Sequence, residues 1–417
     1  METNVQIPRI NGRAWLMVVI AWIGYMIMNL SNFSIGVMMP DIIRDLELSL
    51  REAGWLSASA WLMKAALTLP VAILVAKFNP KYLLQAIFIT VAAGVIMQGL
   101  AQNYLMLFIG RSLVYCVAGA VLAPLAVLKI SMIAKERMVF INGLENFTGP
   151  AGQAMGTAVV PFLIATMGGW RDTLLLLGVV TVAVNIIWAL SVRKEAGITA
   201  DQKSGGKIKL LAPLREALRY KTVWLLALGW PGTGFVWNAT YSFWPTYAVD
   251  TLGITMAQAG LVLGLLPFGS MVGSLTAPKL TDLMGVDKLM ICTWGFILPF
   301  AYGSLLFTDS IPLLCLLSFF AGYGAYAFVP IAFTAIYKIP AISPRAVAMG
   351  IAFIVMFNGL GGGLGGLLVG YLGAELGLAS ALKICCLSPF IFGLLTLFLP
   401  ETGRKAQARG LAGNIRY

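Results

Sequence analysis

Histidine is absent from the 417-residue chain, which removes the one side chain that titrates near neutrality unaided, and with it imidazole-centred catalysis. Any proton chemistry must use a carboxylate. Charge is scarce as well: Asp, Glu, Lys and Arg make up 11% of residues against 59% hydrophobic ones, and mean hydropathy is +0.87. A soluble globule carries about 25% charged residues, so a polytopic membrane protein is implied. Cysteine is limited to Cys116, Cys292, Cys315, Cys385 and Cys386. They are odd in number, lie in apolar runs and lack metal-ligand spacing, so they read as small packing residues. With no metal-ligand cluster and no nucleophile–base pairing, neither an enzyme nor a cofactor is expected.

What the chain has is apolar runs of spanning length, near 14–38, 54–76, 82–101, 104–130, 139–167, 173–192, 223–248, 256–278, 288–308, 311–336, 346–372 and 379–399. A bilayer core needs about 20 apolar residues in a helix, so the expectation is an all-α integral membrane protein of twelve transmembrane helices, numbered here as spans one to twelve. The polar opening METNVQIPRINGR precedes span one, and no small-residue cleavage site follows it, so that span is retained. With the N-terminus inside, 23 of the 29 Lys and Arg residues fall on the cytoplasmic side, as the positive-inside rule requires. The net charge of +12 is thus explained by topology, and no nucleic acid partner is expected. Both termini are placed in the cytoplasm and the chain in the cell inner (cytoplasmic) membrane.

The longest hydrophilic stretch, Arg193 to Lys221, contains KSGGK and reads as a flexible linker. It divides the chain into an N-terminal six-helix bundle (1–192), a basic linker (193–221), a C-terminal six-helix bundle (222–400) and a cytoplasmic tail (401–417). Two such halves call for an internal repeat. An offset near 206 brings Asn32 to Asn238, Pro124 to Pro330 and the Arg137…Gly143 start of span five to Arg345…Gly350 of span eleven.

Ionisable residues inside spans are few and are functional candidates by default. Lys64 lies near the middle of span two; it serves a pathway, or it snorkels or sits in a structural ion pair. Arg111 lies within span four, where its planar fork suits bidentate carboxylate recognition or bonds to backbone carbonyls of a neighbouring helix. Glu145 is the one acid left within a span; burial would raise its pKa toward neutrality for proton carriage, and a latch to Lys129 or Arg137 is the other role open to it. Two buried cations against one acid leave a positive interior, which concentrates anions.

Twelve spans in a 6+6 division with a basic central loop resemble the major facilitator superfamily of secondary transporters across essentially the whole chain. Between spans eight and nine, Thr281-Asp282-Leu283-Met284-Gly285-Val286-Asp287-Lys288 looks like the family's G-x-x-x-D-R-x-G-R-R gating loop, with Asp282 and Gly285 in place and the basic residues mostly lost. The loop after span two, Ala76 to Lys81, has no acid. Gly110-Arg111 followed by Gly119 resembles the family's membrane-embedded arginine motif. Gly149-Pro150-Ala151-Gly152 with Gly156 is similar to the glycine-proline pattern of drug and proton antiporters, although small residues four apart serve close packing equally. The same holds for GLGGGLGG at 359–366.

The resemblance implies alternating access about a central site. It would place Tyr25, Tyr115, Trp237, Tyr241, Tyr323 and Tyr326 at the cavity wall, with Asn32 and Asn238 contributed by opposite halves. Asp282, Gly285 and Arg137 would gate. Span seven is interrupted at Trp230-Pro231-Gly232-Thr233-Gly234, and a broken helix frees backbone groups that can bind solute. The expected function is transport of a small organic anion, most like the bacterial carboxylate and small-anion porters, by proton-coupled symport through Glu145 and with the protein a monomer in the lipid bilayer. A proton-driven multidrug or metabolite efflux antiporter of the same superfamily is the alternative. A non-transporting receptor or scaffold is disfavoured by the lack of any sizeable soluble domain.

Overall fold

A backbone in hydrocarbon must satisfy its own polar groups, and a single chain without strand alternation does so as helices. The computed structural model describes residues 12–75, 79–118, 121, 124–125, 128, 138–193, 212–339 and 342–403, and these residues contain no strand. In chain order the spans are Gly12–Asp45, Leu50–Val75, Pro80–Gly99, Tyr104–Ala118, Met138–Ala158 continued by Val160–Met167, Trp170–Arg193, Lys221–Gly229 continued by Pro231–Asp250, Met256–Met284, Asp287–Ser304, Ile311–Ala327 continued by Val329–Tyr337, Pro344–Leu376, and Leu378–Cys385 continued by Pro389–Thr396. Seven of the described helices are long and apolar enough to cross a membrane, eight when the pair in span five, bent by 43°, counts as one. Spans two, four, seven and nine are not among these eight and take their places by packing against the others.

The helix ends follow local chemistry. Pro80, Pro344 and Pro389 open helices, where a missing N–H costs nothing. Thr255 and Gln258 close a capping box at the start of span eight. Gly285, at φ 70°, ends that span in the left-handed conformation that glycine tolerates best.

Within the first bundle, span one packs on spans five and six, and span three on spans four and six; within the second, span eight packs on ten, nine on twelve, and seven on eleven and twelve. The halves meet where span two lies on eleven, span one on seven and span five on eight. Small residues set these distances. A Cβ at Gly322 in span ten would lie 1.8 Å from the Leu266 carbonyl oxygen of span eight. Between the halves, a Cβ at Gly36 would lie 2.0 Å from the Tyr241 carbonyl oxygen.

Glycines 359–366 explain how span eleven touches two neighbours at once. Gly361 and Gly365 face Pro231 and Phe235 of span seven, whereas Gly359, Gly362 and Gly366 face Ala65, Trp61 and Ser57 of span two. Gly149, Gly152 and Gly156 likewise bring span five onto Tyr25, Met26 and Leu30 of span one, so packing accounts for the glycine-proline pattern.

One segment outside the spans is tied down. Ala212–Ala217, in the stretch read as flexible linker, is helical, and Glu216 accepts hydrogen bonds from the Ser343 backbone N–H at 2.7 Å and hydroxyl at 2.8 Å. Residues 194–211 of that linker and 404–417 of the tail lie outside the described residues. At one end of the bundle, Arg44 pairs with Asp250 at 2.5 Å and Arg51 with Glu375 at 2.6 Å, joining spans one to seven and two to eleven. These pairs are exposed and contribute at most about 1 kcal/mol each; the close helix packing beside them does most of the closing.

Overpacking a close crossing costs about 1–3 kcal/mol, and where the cost falls depends on which interface is forced apart. Gly322→Val, inside one half, is expected to lower the thermal unfolding midpoint of the detergent-purified protein. Gly36→Val, between halves, is expected to lower it less and instead to increase cysteine labelling of Ser57→Cys, because the halves can separate without unfolding.

Candidate substrate site between the two halves

Spans one, two, four and seven converge on a small cavity lined by Asn32, Phe33, Gly36, Trp61, Arg111, Tyr115, Asn238, Tyr241 and Ser242. The space within it open to water-sized molecules is about 10 Å³, close to what one water requires, so this state is tightly closed around its centre. Arg111 is 4% exposed. Its Nε donates to the Leu56 carbonyl at 3.1 Å, and its guanidinium lies 5.3 Å from the centre of the Tyr115 ring, one helical turn on. No carboxylate pairs with it among the described residues. The carbonyl bond uses only Nε, and the two terminal amino groups keep the fork geometry for an anion.

Beside the arginine lies a buried polar cluster that crosses the halves. Ser57 donates to Ser242 at 2.7 Å, and Asn238 donates to the Gly362 carbonyl at 2.7 Å and to Ser57 at 3.0 Å. Ser57 follows Leu56, whose carbonyl holds Arg111, so one turn of span two serves both contacts. The Tyr241 hydroxyl is buried and has no hydrogen-bond partner among the described residues. Its ring packs on Phe33 of the other half at 4.8 Å and on Trp237 at 5.0 Å, and Trp237 continues to Tyr326 at 5.2 Å.

Of the residues expected at the centre, Arg111, Asn32, Tyr115, Asn238 and Tyr241 line this one cavity. Trp237 and Tyr326 back its wall. Tyr25 lies against Gly149 of span five. Tyr323 packs on Trp294 at 5.4 Å and shares a 2.9 Å hydrogen bond with the exposed Thr276; it is half-buried, with these partners on spans nine and eight of its own bundle, and does not line the cavity. Lys64 stacks over Trp61, its Nζ 5.1 Å from the ring centre, and does not line the cavity.

At the break in span seven, side chains bond the backbone on both sides of Pro231: Asn358 and Thr233 donate to the Trp230 carbonyl, and Ser388 donates to the Gly232 carbonyl at 2.7 Å, so these two carbonyls are occupied rather than open to solute. In the loop that matches the gating motif, Gly285 ends span eight in the left-handed conformation and Asp282 is exposed. The buried acid there is Asp287, 6% exposed, which accepts from Lys338 Nζ at 2.6 Å and from the Thr402 hydroxyl at 2.7 Å. Asp282 sits on the outer face of the last turn of span eight, whereas Asp287 opens span nine facing inward. Arg137 lies outside the described residues; Glu145 falls on helix Met138–Ala158, with its side chain outside them.

Sequence reasoning missed Phe33, Gly36, Ser57, Trp61 and Ser242. The offset of 206 that pairs Asn32 with Asn238 also pairs Gly36 with Ser242, one helical turn further on; carrying the repeat along the helix face would have found both.

The sequence profile of the Major Facilitator Superfamily matches residues 21–301 and 232–414. The chain belongs to the major facilitator superfamily. Among its relatives, a probable nitrate/nitrite antiporter, NarK1, of Thermus thermophilus is 24% identical over 358 residues, 78% of each chain. The monocarboxylate transporter 11 of Mus musculus is 24% identical over 249 residues, 60% of this chain and 55% of that protein. In fold, a bacterial homolog of the human lysosomal transporter Spinster, in an inward-facing and occupied conformation, superposes with a TM-score of 0.74 at 17% identity, covering 97% of this chain and 98% of that one. The nucleoside transporter NupG superposes with a TM-score of 0.71 at 17% identity, over 91% and 98%. The protein is thus a multi-pass membrane transporter and not an enzyme, and the twelve spans are the two six-helix bundles of this superfamily.

Removing the amide that ties the halves leaves buried partners unpaired at a cost of about 1–3 kcal/mol. Asn238→Ala is expected to lower thermal stability of the transporter by that amount. Asn32→Ala, for which no hydrogen bond is broken among the described residues, is expected to cost less in the same assay.

Proposed function

We propose that this transporter moves a small organic anion with a planar carboxylate head, by alternating access of its two halves around the Arg111 cavity. The observation that carries the reading is a buried guanidinium with no carboxylate partner among the described residues, at the wall of a cavity that also holds the unpartnered Tyr241 hydroxyl. Burying an unpaired charge costs several kcal/mol, and a planar anion bound by the fork offsets that cost during the cycle. The phenol supplies a third donor. Relatives named for nitrate, nitrite and monocarboxylates carry anions of this planar kind in their names, and nitrate would meet the same fork. No acid lines the cavity, which weighs against a lipophilic-cation exporter. Glu145, in span five beside span one, is the proton carrier in this reading, and both termini face the cytoplasm.

The test uses purified protein with a panel of mono- and dicarboxylates, nitrate and lipophilic cations. A ligand that binds the folded state raises its thermal midpoint by mass action. Stabilisation by carboxylates, lost in Arg111→Ala, supports the reading; stabilisation by lipophilic cations that survives Arg111→Ala overturns it, and stabilisation by nitrate alone narrows the cargo to inorganic anions. Arg111→Lys keeps the charge but loses the fork, so affinity is expected to fall about ten- to a hundredfold, as for one charge-assisted hydrogen bond of about 1.5–3 kcal/mol. For proton coupling, Glu145→Gln is expected to abolish accumulation driven by a pH gradient in proteoliposomes while leaving substrate counterflow intact. Accumulation that survives the substitution removes Glu145 from the role.

A further inference from the structure

Lys64 and Arg111 occupy different places on one path. Span two presents Ser57, Trp61 and Lys64 at intervals of four and three residues, which puts all three on one helix face. The direction of that face is set by its partners: Ser57 bonds Asn238 and Ser242 of the opposite half, and Trp61 lines the central cavity. Lys64 continues the stripe one turn on, with its Nζ stacked over the Trp61 ring. It therefore faces the interior between the halves. Its carbonyl accepts from Thr68 at 2.6 Å, and no carboxylate pairs with its ammonium among the described residues.

The order along the helix carries the argument. Arg51 pairs with Glu375 at the closed end, and Lys64 lies 13 residues further on, about 20 Å along the axis. Ser57, Trp61 and Lys64 thus succeed one another away from that closed end. Trp61 lines the cavity, has Lys64 over its ring and is held in place by span eleven, where a Cβ at Gly362 would lie 2.5 Å from the indole Cδ2. While spans two and eleven are packed this closely, the indole cannot withdraw toward span eleven.

Resting on the anion reading above, we infer that Lys64 is a separate anion station, outside the central cavity on the side away from the Arg51–Glu375 end, with Trp61 as the partition between it and Arg111. Lys64 collects a small anion from that membrane face and passes it by the indole to the guanidinium. A lysine suits the task, because a flexible point charge attracts without the geometric commitment of a fork. A charge of this kind raises arrival rates by about tenfold or more.

The fingerprint is sidedness. Transport is measured in proteoliposomes with the protein in known orientation, with radiolabelled pyruvate and with nitrate as the two probes. A substitution cannot move the overall equilibrium, so arrival from one face and release to it must slow together. Lys64→Gln is therefore expected to raise KM about tenfold for uptake from the Lys64 face and, for uptake from the opposite face, to lower the maximal rate with KM unchanged. Lys64→Arg is expected to restore both, whereas Arg111→Gln raises KM from both faces. If Lys64→Gln instead raises KM equally from both faces, the two cations form a single site and this inference falls while the anion reading stands. No effect from either face removes Lys64 from the path. Failure of the wild type to carry either probe overturns both readings. Unchanged thermal midpoints for the variants confirm that folding is not what is measured.

Discussion

A guanidinium kept from water without a counter-charge among the described residues is the constraint on which the centre of this transporter depends. Arg111 is held by one carbonyl, Leu56, from the neighbouring span, and by the face of its own Tyr115. Neither neutralises it. A charge left this way is tolerated only where the surroundings are polar on one side and the charge has work to do there. The neighbourhood answers to that need: Ser57, Asn238 and Ser242 surround the cavity with dipoles rather than ions, and no acid intrudes among the lining residues. An acid close by would form a stable pair and occupy the fork permanently.

That arrangement requires the two halves to come very close, and glycine makes the approach available. Span eleven turns one set of glycines to span two and another to span seven, so one helix lies against both halves with backbone nearly touching backbone. In lipid there is little hydrophobic gain from burying such a surface; packing and a few interhelical hydrogen bonds supply the association. The consequence is an interface that is well fitted but modest in energy, joined at its end by exposed ion pairs worth little each. Such an interface can part during a transport cycle, whereas the crossings inside each half, sealed by Gly152 on Met26 in the first and Gly322 on Leu266 in the second, hold each bundle as a body.

The second bundle carries its own anchoring at the opposite end. Asp287 accepts from Lys338 and Thr402, and Glu401 accepts from the backbone N–H groups that open span nine. These contacts tie the start of span nine, the end of span ten and the beginning of the tail together. The loop between spans eight and nine thereby moves with its bundle. The motif match pointed to Asp282, four residues before the turn is complete; the register of the helix end exposed that residue and buried Asp287 instead.

The sequence by itself determined the class of molecule. Twelve apolar runs and the scarcity of charge follow from the energetics of hydrocarbon, which acts on composition and needs no knowledge of packing. The same reasoning singled out Arg111, because depth in a span can be counted along the chain. Which charged or aromatic residues share a cavity depends on the rotation of each helix about its axis, and rotation is set by side-chain packing against neighbours far away in sequence. Tertiary structure therefore decided that Tyr241 shares a cavity with the arginine while Tyr323 bonds within its own bundle, that the Trp230 and Gly232 carbonyls beside Pro231 are taken by Asn358, Thr233 and Ser388, and that Trp61 lines that cavity with Lys64 over its ring.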